Sequence, residues 1–193
     1  HKQSLFERYA WIQVYLDNIY VLPGPGYWVT YFDQYYRSPE FTSGGLKRLY
    51  WQKIQGEWKI VGSEWNSGNW GLRNNYLHYV QKDLRGWLSS WKKAWESSDL
   101  KDYTGFYHPK ASQNDREGLK SIVSHKKEVW KEEQPAKVQL EDIQVDLHSK
   151  GARVEFKQKY TGQKGYQDIG RKTLILEPFK QTWRVLSETW SPS

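Results

Sequence analysis

Apolar side chains fall at Leu72, Tyr76, Val80, Leu84, Trp87, Leu88, Trp91 and Trp95. Steps of three and four place them on one stripe and predict a helix over 72–97. Gly86 weakens that helix without ending it. Asp99 reads as the cap of a short second helix with Leu100, Tyr103, Phe106 and Tyr107 on its buried side, stopped by Pro109. Asn114, followed three positions later by Glu117, reads as a capping box. It would open a third helix that buries Leu119, Ile122, Val123, Val129 and Trp130. After Pro135 the period changes to two. Val138 and Leu140, then, in shifted phase, Ile143, Val145 and Leu147 predict a bulged strand. Val154, Phe156, Gln158 and Tyr160 alternate with Arg153, Glu155, Lys157 and Lys159, as in a sheet with one wet face. Strands over 166–177 and 182–190 follow. Three helices and then four strands predict an α+β domain, with helices packed on one face of a curved, mostly antiparallel sheet.

The strand pattern occurs twice, at an offset of about 125 positions, a spacing that marks a domain-sized repeat. Val29, Tyr31, Tyr35, Lys47, Leu49, Trp51, Trp58, Ile60 and Trp65 fall on Val154, Phe156, Tyr160, Lys172, Leu174, Leu176, Trp183, Val185 and Trp190. A one-residue gap in the turn before Val29 extends the match to Val14, Ile19 and Val21 on Val138, Ile143 and Val145. The first copy reads as a short helix over 3–9 and strands near 12–22, 27–36, 41–54 and 57–65. Residues 1–65 are therefore expected to be the C-terminal half of a first unit without its helices, 66–71 a linker, and 72–193 a complete second domain. An uncovered apolar sheet face is a site of association. Cover for 12–65 is expected from residues ahead of His1, from the 72–97 region, or from a second copy of the chain. His1 stands where a translation product carries Met, so a processed or partial chain is expected.

Composition narrows the function classes. Twelve Trp and 14 Tyr supply bulk that can fill a core or line a half-wet site. The net charge of +7 is spread in mixed-sign clusters such as KKEVWKEE, the pattern of a solvated surface. Acidic residues interrupt the basic runs, and no nucleic-acid-binding motif is present, so nucleic acid is not an expected partner. The chain has no Cys, which excludes disulfides, thiolate metal sites and a Cys nucleophile within this sequence. No apolar run approaches the roughly 20 residues that cross a bilayer as a helix. The five His are scattered, with no metal-ligand spacing and no glycine-rich phosphate loop, so no cofactor or metal is expected.

The segments WKKAWESSDLKDYTGFYHPKA, RVEFKQKY and RKTLILEPFKQTWRVLSE resemble the SnoaL-like, or nuclear-transport-factor-two-like, fold. More narrowly, Trp91, Ala94, Trp95, Asp99, Tyr103 and Tyr107, followed by Arg171-Lys172, Leu174, Trp183 and Glu188, resemble the module appended to bacterial L,D-transpeptidase-type (YkuD group) cell-wall enzymes. The resemblance covers the second copy and the back half of the first. It implies a cone-shaped domain, open at one end, that accompanies a catalytic domain whose His- and Cys-containing motif is absent here. The implied function is a non-catalytic accessory module of an exported, periplasmic cell-envelope protein. Such a module would bind cell-wall glycan or peptide, or position the attached enzyme. A SnoaL-like isomerase or cyclase, and a dimerisation domain, are the alternatives.

Alternation places Lys172 on the face of Leu174 and Leu176. A buried ammonium needs a partner, and Glu188 could supply it; otherwise Lys172 lies at the strand end with its amine in water. Tyr107, Tyr160, Tyr166 and Trp183, with Tyr103, are candidates for an aromatic mouth that stacks on sugars or amphipathic ligands, or for ordinary core. The expected ligand-binding set is Lys172, Tyr160, Tyr107, Tyr166, Trp183 and Glu188, with no catalytic residue. His125 is the most plausible inward histidine, yet its neighbours Lys126 and Lys127 point to the wet side of the third helix.

Overall fold

Four strands, β1 (Gln13–Gly24), β2 (Tyr27–Arg37), β3 (Thr42–Ile54) and β4 (Glu57–Ser67), pair antiparallel in chain order. They follow the four runs expected from periodicity to within two residues at each end. The computed structural model describes residues 4, 7–68 and 71–193. Positions 3, 5 and 6 of the helix expected over 3–9, and positions 69 and 70 of the expected linker, lie outside the described residues, while Ser4, Glu7 and Arg8 are helical. Contacts divide the chain into two units, 1–79 and 80–193.

The helix α1 (Leu72–Glu96) follows the apolar stripe, and every stripe residue named above is buried. Asp99 caps α2 (Leu100–Gly105) by accepting from the backbone N–H groups of Lys101 and Asp102. Here the structure departs from the helical reading. Tyr107–Gln113 is a strand, β5, and Arg116–Glu117 a short strand, β6. Asn114 sits in the turn between them at φ 52°, and α3 (Leu119–Glu132) starts behind Gly118 with no side-chain cap. The cause is tertiary. Residues 106–114 run parallel to a strand far along the chain: Val185 N–H donates to Phe106 O at 2.8 Å, and Asn114 N–H donates to Glu188 O at 2.8 Å. The Asn114 side chain accepts from Trp190 N–H at 2.8 Å.

β7 (Pro135–His148), β8 (Gly151–Gly162), β9 (Gln167–Phe179) and β10 (Thr182–Pro192) complete a six-stranded sheet in the order β6-β5-β10-β9-β8-β7. The β5–β10 pair is parallel and the remaining pairs are antiparallel. Its inner face, with Val138, Val154, Phe156, Leu174, Leu176 and Val185, is fully buried, as are Trp91 and Ile122 on the helices. The second unit is thus α+β.

β1–β4 repeat β7–β10 pair for pair. Phe32 opposes Lys47 as Phe156 opposes Lys172, and Gln34 opposes Gly45 as Gln158 opposes Gly170. Both first strands bulge at the same place, around Asn18 (φ 48°) and Asp142 (φ 54°). Both last strands bulge at the same step, after Ile60 and after Val185. The one-residue gap lies in the β2–β3 connection, not in the turn before Val29. The β1–β2 and β7–β8 hairpins both close over two residues. Phe32 and Tyr36, rather than Tyr31 and Tyr35, therefore take the places of Phe156 and Tyr160. Aromatics at 31, 32, 35 and 36 satisfy either phase, so alternation alone could not choose the face.

The two faces of the first sheet differ. On one, Tyr35 and Tyr15 pack against Tyr76 at 5.2 and 6.0 Å between ring centroids, and the Arg37 guanidinium lies over Tyr76 and Trp11. Tyr76 OH donates to Gln13 Oε1. The other face corresponds to the inner face of the second sheet. Val14, Val21, Trp58 and Ile60 are 52, 57, 53 and 53 % exposed there, whereas their counterparts Val138, Val145, Trp183 and Val185 are 0, 7, 3 and 0 % exposed.

Candidate functional site

A cleft of about 380 Å³ opens in the second unit between the last turn of α1, the inward face of α3 and the inner faces of β8, β9 and β10. Trp95, Trp130, Tyr160, Tyr166 and Trp190 give it aromatic walls. Its charged lining includes Lys126, Lys172, Glu188 and Asp168.

Lys172 and Glu188 meet as a buried pair. Lys172 Nζ donates to Glu188 Oε1 at 2.5 Å, with both side chains almost wholly buried. The β10 bulge makes this possible. Trp183 and Val185 face inward before it, and Glu188 faces inward after it, because the bulge between Val185 and Ser187 reverses the alternation. The second oxygen, Oε2, accepts from Tyr107 OH. Tyr107 in turn shares a hydrogen bond of 2.5 Å with Tyr103 OH and accepts from Trp91 Nε1 at 3.4 Å. Lys172 also lies over Trp95, 4.2 Å from its ring centroid.

Burial alone would raise the Glu188 carboxyl, but the Lys172 and Lys126 charges and the bonds from Lys172 and Tyr107 hold it down at about 2. Burial and the Glu188 charge push the phenols of Tyr103 and Tyr107 well above their ordinary value. Glu188 is thus ionised and both its oxygens are occupied. This network does not supply a base near neutral pH.

The other anticipated residues separate. Tyr160 lines the cleft, stacked on Trp95 at 5.9 Å, and its hydroxyl donates to Glu133 O at 3.5 Å. Burial, helped by Glu133, pushes its phenol up to about 12. Tyr166 stands exposed at the rim, 6.1 Å from the Tyr160 ring. Tyr107 does not line the cleft; it holds Glu188 from the core side. Trp183 is not at the mouth. Its Nε1 donates to Asp83 Oδ2 at 2.7 Å, its carbonyl accepts from Trp87 Nε1, and it is core, the second of the two roles its pattern allowed.

Lys126 is the residue that sequence reading misplaced. It is 9 % exposed, its neighbour His125 is half-buried, and both line the cleft. Its Nζ lies 4.8 Å from the ring centroid of Trp95, 5.3 Å from that of Tyr103 and 6.0 Å from that of Trp130. Burial, with Lys172 nearby, pushes the Lys126 ammonium down to about 8. The signal was present, since Ile122, Lys126 and Trp130 follow the four-residue step of an inward stripe and all three are buried. Asp168, half-buried on β9, accepts from Gln158 Nε2 at 3.4 Å, and burial raises its carboxyl. Gln158 Oε1 and Trp190 Nε1 are buried without a hydrogen-bond partner among the described residues. No group of three or more metal-ligating side chains occurs among them either.

A bent sheet wrapped on a long helix, with a cleft between the sheet and α3, defines an NTF2-like domain, the SnoaL-like and cystatin-like cone fold. The chain belongs to the family described as the Cds6 C-terminal NTF2-like domain, whose model matches residues 1–64 and 83–189. Bd1075 of Bdellovibrio bacteriovorus is similar in structure, with a TM-score of 0.54 and 24% sequence identity. That match covers 74% of this chain and 51% of Bd1075, so this chain spans about half of that protein's length. An NTF2-like protein of unknown function from Pseudomonas putida KT2440 is similar with a TM-score of 0.53 and 14% identity, over 59% of this chain and 87% of that one. At these identities the likeness is one of fold. No curated protein matches the chain's sequence.

Proposed function

We propose that this chain is a ligand-holding accessory module of an exported bacterial cell-envelope protein, that its second unit takes a cell-wall glycopeptide into the cleft, and that it serves an attached L,D-transpeptidase-type enzyme. The observation that carries this reading is a cleft with aromatic walls and a buried ionic floor whose one fully buried carboxylate is already saturated. Aromatic faces stack on sugar rings, and fixed polar groups set the orientation of the bound chain. Turnover would call for a base free to take a proton, and Glu188 is committed to Lys172 and Tyr107.

Co-sedimentation with purified peptidoglycan sacculi tests the proposal. Tyr166 is exposed, so Tyr166→Ala leaves the fold intact. Retention of this variant should fall roughly fivefold, the effect of losing about 1 kcal/mol of stacking. A parent protein that stays in the supernatant, or a variant retained as well as the parent, would refute the reading.

A further inference from the structure

Two buried ammoniums, Lys126 and Lys172, share the deep end of the cleft with one buried carboxylate, Glu188. Lys172 takes one oxygen of that carboxylate and Tyr107 the other. Lys126 forms no hydrogen bond or ion pair among the described residues; it has only the faces of Trp95, Tyr103 and Trp130. An aromatic face compensates a cation in part, and an unpaired buried charge is otherwise costly. Asp168, also on the lining, is engaged by Gln158. Among these three buried charged groups the excess is therefore one positive charge, and Lys126, the one of the three with no hydrogen bond or ion pair among the described residues, borders open space.

We infer that the deep end of the cleft is a carboxylate-binding subsite, in which Lys126 Nζ receives the carboxylate of an organic monoanion such as a peptide's C-terminus. This rests on the ligand-holding reading above and names the chemistry recognised there. A monoanion matches the one positive charge in excess among Lys126, Lys172 and Glu188. A phosphate dianion would overshoot it beside Glu188, Asp168, Glu132 and Glu133, which also line the cleft. The aromatic walls add a contact for the less polar part of the same molecule, so a bare inorganic anion is the poorer fit.

The test is calorimetric titration of the full chain with an N-acetylated dipeptide bearing a free C-terminal carboxylate, and with the same dipeptide amidated. The parent is expected to bind the acid about tenfold more tightly than the amide, as one charge-assisted hydrogen bond would give. Lys126→Met keeps the stem and removes the charge, and it should bind acid and amide alike; Lys126→Gln should do the same if Met disturbs the fold. Equal binding of acid and amide by the parent, no binding of either, or an acid preference that survives both substitutions overturns the inference. The two proposals fail separately. Sacculi retained without an acid preference would leave the wall-binding reading standing and remove this subsite. An acid preference without retention on sacculi would leave the subsite and remove the wall as its target.

Discussion

At the scale of single residues, the site is a problem in buried charge. Lys172 and Glu188 are both almost fully enclosed. Removing one partner strands the other, whereas removing both leaves apolar packing. Glu188→Gln is therefore expected to cost roughly 3–5 kcal/mol in chemical unfolding, and Lys172→Met combined with Glu188→Leu much less. The pH dependence carries the same information. The Glu188 carboxyl lies at about 2 in the folded chain against 4.5 for the free group. The unfolded chain binds more protons between those values, so this contribution, about 3 kcal/mol, is complete above pH 4.5 and lost as pH falls toward 2. Lys126 has the opposite consequence at alkaline pH. Its ammonium lies at about 8 against 10.5, so from pH 8 upward the unfolded chain holds the extra proton and stability rises with pH. Lys126→Met should abolish that rise. A flat profile for the parent from pH 8 to pH 10 would contradict the burial of this ammonium. Lys172 was legible in the sequence from strand alternation; Glu188 faces inward against the alternation of Trp183 and Val185, through a bulge that spacing does not reveal. Lys126 shares the four-residue step of Ile122 and Trp130, but a Lys-Lys pair reads as solvated surface, and its burial depends on three rings contributed by α1, α2 and α3.

At the scale of elements, two devices aim the inner face, and both occur twice. One is the last-strand bulge, after Ile60 and after Val185. The other is a glycine opposite the end of that strand. A Cβ on Gly170 would strike Ser191 O and the Trp190 indole, and a Cβ on Gly45 would strike Asn66 O. A backbone carbonyl held in a ladder cannot give way cheaply. Gly170→Ala and Gly45→Ala are each expected to destabilise by about 1–3 kcal/mol, as overpacking does. Gly170→Ala should also perturb the fluorescence of Trp190 at the cleft, a change that spectra of the folded variant would register. The element order was largely readable, since the α1 stripe, the Asp99 cap and eight long strands lie where periodicity put them. β5 and β6 were not readable. Tyr107 continues a helical spacing from Leu100 and Tyr103, and it is bonds to the distant Val185, Glu188 and Trp190 that draw residues 106–114 into the sheet beside β10. Local spacing carries no trace of a partner some 80 positions away.

At the scale of the whole molecule, the repeat supplies an internal control: one sheet design, in one register, in two states of cover. In the second unit the inner face is closed by residues of α1, α2 and α3, and Val138, Val154, Leu174 and Val185 are fully buried. In the first, the equivalent face carries Val14, Leu16, Val21, Trp58 and Ile60 in the open, with Phe32 buried on it, while Tyr35, Trp11, Leu72 and Tyr76 are buried elsewhere in the unit. The sequence announced an apolar inner face on both sheets through the repeat. It did not announce which face of β2 was meant, since both phases of that strand are aromatic. Stability within a molecule is distributed according to buried apolar contact, and amides of a thinly covered sheet open at lower free energy than those of a closed one. Hydrogen exchange followed by mass spectrometry should therefore show β1–β4 exchanging well before β7–β10, even though the two sheets share the same ladder. The comparison is internal: the strands are of similar length with matching bulges, and β1, β2 and β3 have the same number of strand neighbours as β7, β8 and β9, so among those pairs cover is the main variable that differs. Equal protection of paired positions such as Phe32 and Phe156 would mean that the first sheet gains its stability from something other than the burial described for it, and the assignment of its open face would fall with that result.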